Sequence, residues 1–413
     1  MRAVRHRLLP LLLVAGGTVL IGPAPPLVRA QTPPGLSAKI LQMERDREEE
    51  FEAFFGEDLA SVEKEPDRIA ADLERMSRQS GQRSALLYAI PRGDHLHLVL
   101  IPPGGTPIVR DLYEVPDERL VPTAARFHSS ILRLDLASSR SLGRQLHEWI
   151  VAPFAGELEA MDIDLLLFCL GDGLKGLALS ALHDGEGYLI ERYALTRIPA
   201  FNLIEARAID RASPRLLAAA ASRFKAPDVT PLPAVSRELE AIGEHQTMTI
   251  LRDEAFTRAN VERRLVAGGR PIVHVASHAQ FRPGSPQESY LQLWDSRLSL
   301  DQFDALPWDA AGTELLVLSA CQTSVGDAAA ENGFAGLALK AGVPAAIGTL
   351  WPVQDVATAR LMARFYQALP DAPTTAAALR DAQLSLLKGD DAPGPDSALP
   401  YFWAGFTMLS SPW

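Results

Sequence analysis

Short unbroken apolar runs alternate with stretches of helical periodicity, most regularly after residue 234. The pattern predicts helices over Val235–Glu244 and Thr257–Val266, with strands over Met248–Leu251 and Pro271–Ala276. It continues with strands at Leu315–Ser319 and Ala345–Leu350, a helix at Glu331–Ala341, and two helices over 355–368 and 375–388. Short apolar strands between helices predict an α/β fold whose mostly parallel sheet is covered on both faces. Upstream, Ala85–Ile90 and Leu96–Ile101 flank a Pro-Arg-Gly-Asp turn, a hairpin signal. Residues 115–160 read as mostly helical, Asp164–Cys169 as a buried strand, and about 178–197 as a further hairpin. Arg215–Ala220 fits strand or helix, and Pro227, Pro231 and Pro233 mark a linker. Residues 31–36 read as a second short linker. Residues 37–80 read as a helical segment, with Leu41, Met43 and Phe51 on one face and Glu44 to Glu50 on the wet side.

The first thirty residues follow another logic. Arg2, Arg5 and Arg7 precede the apolar run Leu8–Ile21, and Val28-Arg29-Ala30 sets small residues at −3 and −1. That is a signal-peptide pattern over 1–30 with cleavage near Ala30, so the chain is expected to be exported, to the periplasm or beyond. The run is about 14 residues, short of the ~20 that cross a bilayer, and no later segment is apolar enough for a stable span.

Composition narrows the classes further. Of 413 residues, 47% are hydrophobic and 22% charged, an ordinary globular balance that excludes a disordered or fibrous chain. Lys plus Arg total 40 against 51 Asp plus Glu, and a net charge of −11 argues against nucleic acid as a partner. Cys169 and Cys321 are the only cysteines, which excludes a disulfide scaffold and a four-cysteine zinc site.

In open parallel sheets, reactive groups sit just past the carboxyl ends of strands. His278 ends the run Ile272–His278, and Cys321 ends the run Leu315–Cys321, 43 residues later. A thiol needs a nearby base to become thiolate, and a histidine on a neighbouring strand supplies one. A cysteine ending an apolar strand is also a common packing residue, and Cys169 and His274 read that way. His274 and His278 form the sequence's one H-x-x-x-H pair, but they lie on an expected strand, so no metal and no cofactor is expected.

The wider pattern resembles the CHAT family of caspase-like cysteine peptidase domains. The resemblance is carried by Val273–Phe281, Leu316–Thr323, Gly326-Asp327, Glu331–Ala338, Gly348–Asp355 and Pro400–Phe406, in the family's order. Asp172-Gly173-Leu174 and Tyr188–Tyr193 extend it upstream, so the expected domain runs 81–413, with a first half 81–225 and a catalytic half 226–413. The resemblance implies Cys321 as nucleophile, His278 as general base and acid, and an oxyanion hole built from the backbone N–H groups of Ala279 and Cys321. Members often carry glycine after the histidine; here it is Ala279. The acids Asp327, Glu331 and Asp355 follow the nucleophile, and an acidic pocket would select Arg or Lys in substrates. Glu331 and Asp355 also suit helix starts. Asp327, Asp355 and Gln280 are the expected pocket residues.

The expected activity is that of an exported cysteine endopeptidase working through a thioester. The alternatives are a catalytically silent CHAT-type scaffold module and another acyl hydrolase using the same dyad. The expected partners are a protein or peptide substrate and a regulatory protein. Pairing of Cys321 with Cys169 would consume the nucleophile, so no disulfide is expected between them.

Overall fold

Pro34 and Pro66 each open a helix, since proline at the first helical position gives up an N–H that has no partner there anyway. The structure is a computed structural model and describes residues 31–55, 63–211, 214–269, 271–280, 288–303, 305–319, 334–389 and 398–413. The expected signal peptide lies outside the described residues. The helices are α1 (Pro34–Phe55) and α2 (Pro66–Ser80), so α1 starts inside the stretch expected to be a linker. The hairpin follows as β1 (Ser84–Pro91) and β2 (Leu96–Ile101), extended by β3 (Ile108–Leu112). Next come α3 (Asp117–Leu132), α4 (Leu136–Ile150), α5 (Ala155–Ala160) and β4 (Leu165–Leu170).

The second expected hairpin does not form as such. A lone bridge joins His183 to Tyr188, and the chain then makes a single helical turn, α6 (Leu189–Arg192), before β5 (Ala194–Arg197). The Tyr188 N–H donates to Glu191 Oε1 at 2.7 Å, which caps that turn, and β5 pairs parallel with β4 rather than folding back.

The remaining elements are β6 (Arg215–Ala220), α7 (Ala234–Gly243), β7 (Met248–Arg252), α8 (Arg258–Val266), β8 (Pro271–Ala276), β9 (Ala279–Gln280), β10 (Tyr290–Gln292) and β11 (Arg297–Ser299). They are followed by α9 (Leu300–Phe303), β12 (Leu315–Leu318), α10 (Phe334–Lys340), β13 (Ala345–Thr349), α11 (Asp355–Ala368), α12 (Thr375–Lys388), α13 (Pro400–Trp403) and β14 (Phe406–Ser410).

Among the described residues, eleven strands form one sheet in the order β3-β2-β1-β4-β5-β14-β13-β12-β8-β6-β7, and β9, β10 and β11 form a small antiparallel one. Two parallel blocks meet at β14. That strand runs parallel to β5 but antiparallel to β13, so the blocks point in opposite directions. The carboxyl end of β4, with Cys169, therefore faces the opposite edge of the sheet from the carboxyl ends of β8 and β12. β6 sits between β8 and β7, within the block that carries β8.

Strand residues alternate between two helical layers, as the period of two requires. Leu86, Tyr88, Leu167, Ile272 and Val317 face a core shared with α1, α2, α11 and α12. Leu87, Phe168 and Leu170 face α3 and α4, while Val273, Val275 and Leu316 face α8 and α10. Burial on both faces explains the unbroken apolar runs.

Glu44 departs from its expected place on the wet side of α1. It is fully buried, accepting from Tyr88 Oη at 2.6 Å and from the Asn202 N–H at 3.0 Å. Burial pushes its carboxyl up, against the opposing pull of those hydrogen bonds. Nearby, Asn202 Nδ2 donates to Glu48 Oε2 at 2.9 Å. These contacts tie α1 to the domain through polar groups as well as through Ile40 and Met43.

Candidate active site

β8 is buried along its whole length, which holds rigid whatever follows it. β8 pairs in parallel with β12, Leu315 to Leu318 matching Ile272 to Val275, and the Ser319 N–H donates to the Val275 carbonyl at 2.9 Å. After Ala276 the chain leaves the large sheet and enters the small one. Ser277 Oγ donates to the Gln292 carbonyl at 2.6 Å, and the Gln292 N–H donates to the His278 carbonyl at 2.8 Å.

That last bond fixes the direction of the next amide. It makes Ala279 and Leu291 a non-hydrogen-bonded pair of the antiparallel ladder, so the Ala279 N–H points away from β10. The ladder leaves that donor available on the side opposite β10. Ala279 itself is buried, whereas His278 is partly exposed.

The imidazole of His278 is held from two sides. Its Nε2 lies 2.7 Å from the Thr230 carbonyl oxygen, and the Phe224 ring sits 5.3 Å away, centroid to centroid. A carbonyl only accepts, so in the neutral ring Nε2 carries the hydrogen and Nδ1 is the basic nitrogen. Thr230 lies in the stretch that the sequence marks as a linker. Pro231 disfavours helical backbone at Thr230 and so keeps this stretch extended past the histidine.

Phe224 is placed by a carboxylate one loop away. Asp253 Oδ1 accepts from the Ser222 N–H at 2.8 Å, from Ser222 Oγ at 2.9 Å and from the Arg223 N–H at 3.2 Å. Burial alone would raise the Asp253 carboxyl, but these bonds outweigh it and hold the group below the usual range. Asp253 takes a left-handed backbone, φ 48°. Thr230, Phe224 and Asp253 carry no sequence motif; the proline after Thr230 is the one available signal.

The other sequence-predicted residues distribute unevenly. Cys321, with its backbone N–H, and the acids Asp327 and Glu331 lie outside the described residues. Gln280 is in β9, two residues from His278, and is partly exposed. Asp355 is exposed at the first position of α11, behind the cap in which Gln354 Oε1 accepts from the Ala357 N–H at 2.8 Å. It lines a groove of about 400 Å³ between α7 and α11 together with Arg237 and Arg364, and it follows β13, two strands from β8.

His274 is sealed under the site. Its Nδ1 lies 3.2 Å from Tyr366 Oη, which ties β8 to α11, and its Nε2 lies 3.2 Å from Glu238 Oε1 on α7 without hydrogen-bond geometry. Cys169 is also buried, its Sγ donating to the Pro199 carbonyl at 3.1 Å. Among the described residues no helix is long and apolar enough to cross a membrane.

Comparison with solved structures places this architecture among caspase-like folds. The separase in the Saccharomyces cerevisiae separase–securin complex aligns with a TM-score of 0.50 at 9% identity, covering 83% of this chain and 31% of that one. The Arg-specific cysteine proteinase gingipain R (RgpB) aligns over 81% of this chain and 78% of its own, at 10% identity and a TM-score of 0.42. The complex of Porphyromonas gingivalis RgpB pro- and mature domains aligns over 80% and 78%, at 11% identity and a TM-score of 0.44. No curated protein matches the sequence. The CHAT domain model matches residues 140–411, beginning within α4, while the sheet extends ahead of it to β1–β3. With a β8–β12 core of this form and a match over well above half its length, the chain belongs to the CHAT domain family.

Proposed function

We propose that the chain is an exported cysteine endopeptidase in which Cys321 and His278 form the catalytic dyad. The observation that carries the reading is the held imidazole: His278 stands at the end of a buried strand with Nε2 against the Thr230 carbonyl and Nδ1 as its base. Strand adjacency supports the partner. β12, which leads to Cys321 in the sequence, pairs in parallel with β8, which leads to His278.

In this reading His278 Nδ1 takes the thiol proton and the Cys321 thiolate attacks the peptide carbonyl. The N–H groups of Ala279 and Cys321 hold the oxyanion, an arrangement whose single donors are worth about 10²–10³ in rate. The C–N bond breaks as His278 returns its proton to the amine, leaving a thioester. Water, deprotonated by His278, hydrolyses the thioester and frees the acid and the thiol. Specificity belongs to Gln280, Asp327 and Asp355, with acids favouring Arg or Lys before the cut. Removal of 1–30 near Ala30 places the enzyme in the periplasm or outside the cell. The domain spans 81–413, and its partners are a protein or peptide substrate and a regulatory protein.

The test is digestion of an unbiased peptide mixture by the mature chain beside Cys321→Ala and His278→Ala, with cut sites read by mass spectrometry. Cuts by the wild type alone, concentrated after Arg or Lys, are expected. Equal cutting by the variants overturns the dyad. No cutting by folded, reduced wild type favours the scaffold alternative.

A further inference from the structure

At the other end of the sheet, three metal-type donors converge on the outer hairpin. His97 on β2 pairs directly with Asp111 on β3, and His95 lies two residues earlier on the same face. His97 Nδ1 is 2.6 Å from Asp111 Oδ1, and His95 Nε2 is 3.5 Å from the same oxygen. The ligand atoms of all three lie within 4.8 Å of one another. Tetrahedral zinc, with bonds of about 2.0–2.2 Å, needs donors roughly 3.3 Å apart. The His95–Asp111 spacing already fits, and the His97–Asp111 hydrogen bond opens by less than about 1 Å when a cation replaces its proton.

A second observation concerns the outer nitrogen of His95. Its Nδ1 lies 2.7 Å from Asp94 Oδ1, and its ring packs on Tyr113 with centroids 4.8 Å apart. A carboxylate on the far nitrogen is the usual support of a metal-bound imidazole; it fixes the tautomer and turns the other nitrogen toward the ion.

The cluster faces a cavity of about 590 Å³ between the hairpin and α1. Lys39 and Asp46 of α1 also line this cavity, and Arg92 lines it from the hairpin turn. Two imidazoles and a carboxylate suit a borderline divalent ion.

We propose that His95, His97 and Asp111 bind one zinc-type divalent ion, with water completing the coordination and Asp94 orienting His95. The ion would clamp the outermost pair of strands. This site is separate from His278: β2 and β8 stand seven places apart in the sheet, about 33 Å at the usual strand spacing.

The experiment is zinc titration of the metal-stripped, reduced full chain against a chromogenic chelator, with the bound ions counted. The expected result is one tight ion per chain, retained in Cys321→Ala and in the control His245→Ala. In His97→Ala and Asp111→Asn affinity falls at least tenfold. Asp111→Asn keeps the side-chain shape and an acceptor for His97, so its melting curve without metal should match wild type and separates lost ligation from lost folding. No tight ion in the wild type, loss of the ion in Cys321→Ala, or unchanged binding in both cluster variants overturns the site.

Discussion

Glu44→Ala tests whether α1 is docked by its buried polar network. The substitution strips the acceptor from Tyr88 Oη and from the Asn202 N–H, both buried. An orphaned buried donor costs about 1–3 kcal/mol, so the two together cost about 2–6 kcal/mol. Tyr88→Phe removes one donor and leaves Glu44 its bond from the Asn202 N–H, so it should cost only about 1 kcal/mol, and the double variant should show coupling. The direction with pH follows from the raised Glu44 carboxyl. A folded-state pKa above the unfolded one gives stability that is full below the ordinary glutamate value of about 4.3 and is lost as pH rises through the folded value. The gap between wild type and Glu44→Ala is therefore widest in acid and narrows upward. Urea unfolding followed by far-UV circular dichroism from pH 4 to 8, with limited proteolysis of α1, measures it. A cost under about 0.5 kcal/mol, or a gap that widens with pH, refutes the reasoning.

Two further variants probe the supports of the fold and site. Gly143→Ala would set a Cβ 3.0 Å from both the Ala181 carbonyl oxygen and Phe127 Cε2. Helix propensity returns up to about 1 kcal/mol, but overpacking costs about 1–3, so the melting temperature should fall; a rise would show that α3 and α4 yield. Asp253→Ala should release the 222–224 loop, cost about 1–3 kcal/mol at neutral pH and lower kcat/KM on a cleaved peptide. Because the Asp253 carboxyl is held low, its contribution is present above about pH 4 and lost as pH falls through the depressed value, so the difference from wild type should be flat from pH 5 to 8. A difference that vanishes within that window would remove Asp253 from its proposed role.

Legibility in the sequence tracks how local each signal is. The helices expected over 355–368 and 375–388 have those bounds because their ends are set by neighbours in the chain: Gln354 and Thr374 cap the starts, and Gly389 in left-handed backbone stops the second. The β1–β2 hairpin is similarly local. β14 is not, since its partners β13 and β5 come from distant parts of the chain. Periodicity placed Glu44 with its charged neighbours, because nothing near it in sequence announces that Tyr88 and Asn202 bring donors to that spot. The hold on His278 comes from a main-chain carbonyl, which has no residue type to read. His95 and His97 gave no metal signal since their third donor arrives only through the β2–β3 register.

The dyad is tested most directly by the rate at which Cys321 is alkylated as pH varies, with the modified peptide identified by mass spectrometry. In the wild type, thiolate paired with His278 should react well below the ordinary cysteine pKa of about 8.5, and His278→Ala should return the profile to that value. Identical profiles in the two proteins would contradict the assignment of His278 as the base for Cys321.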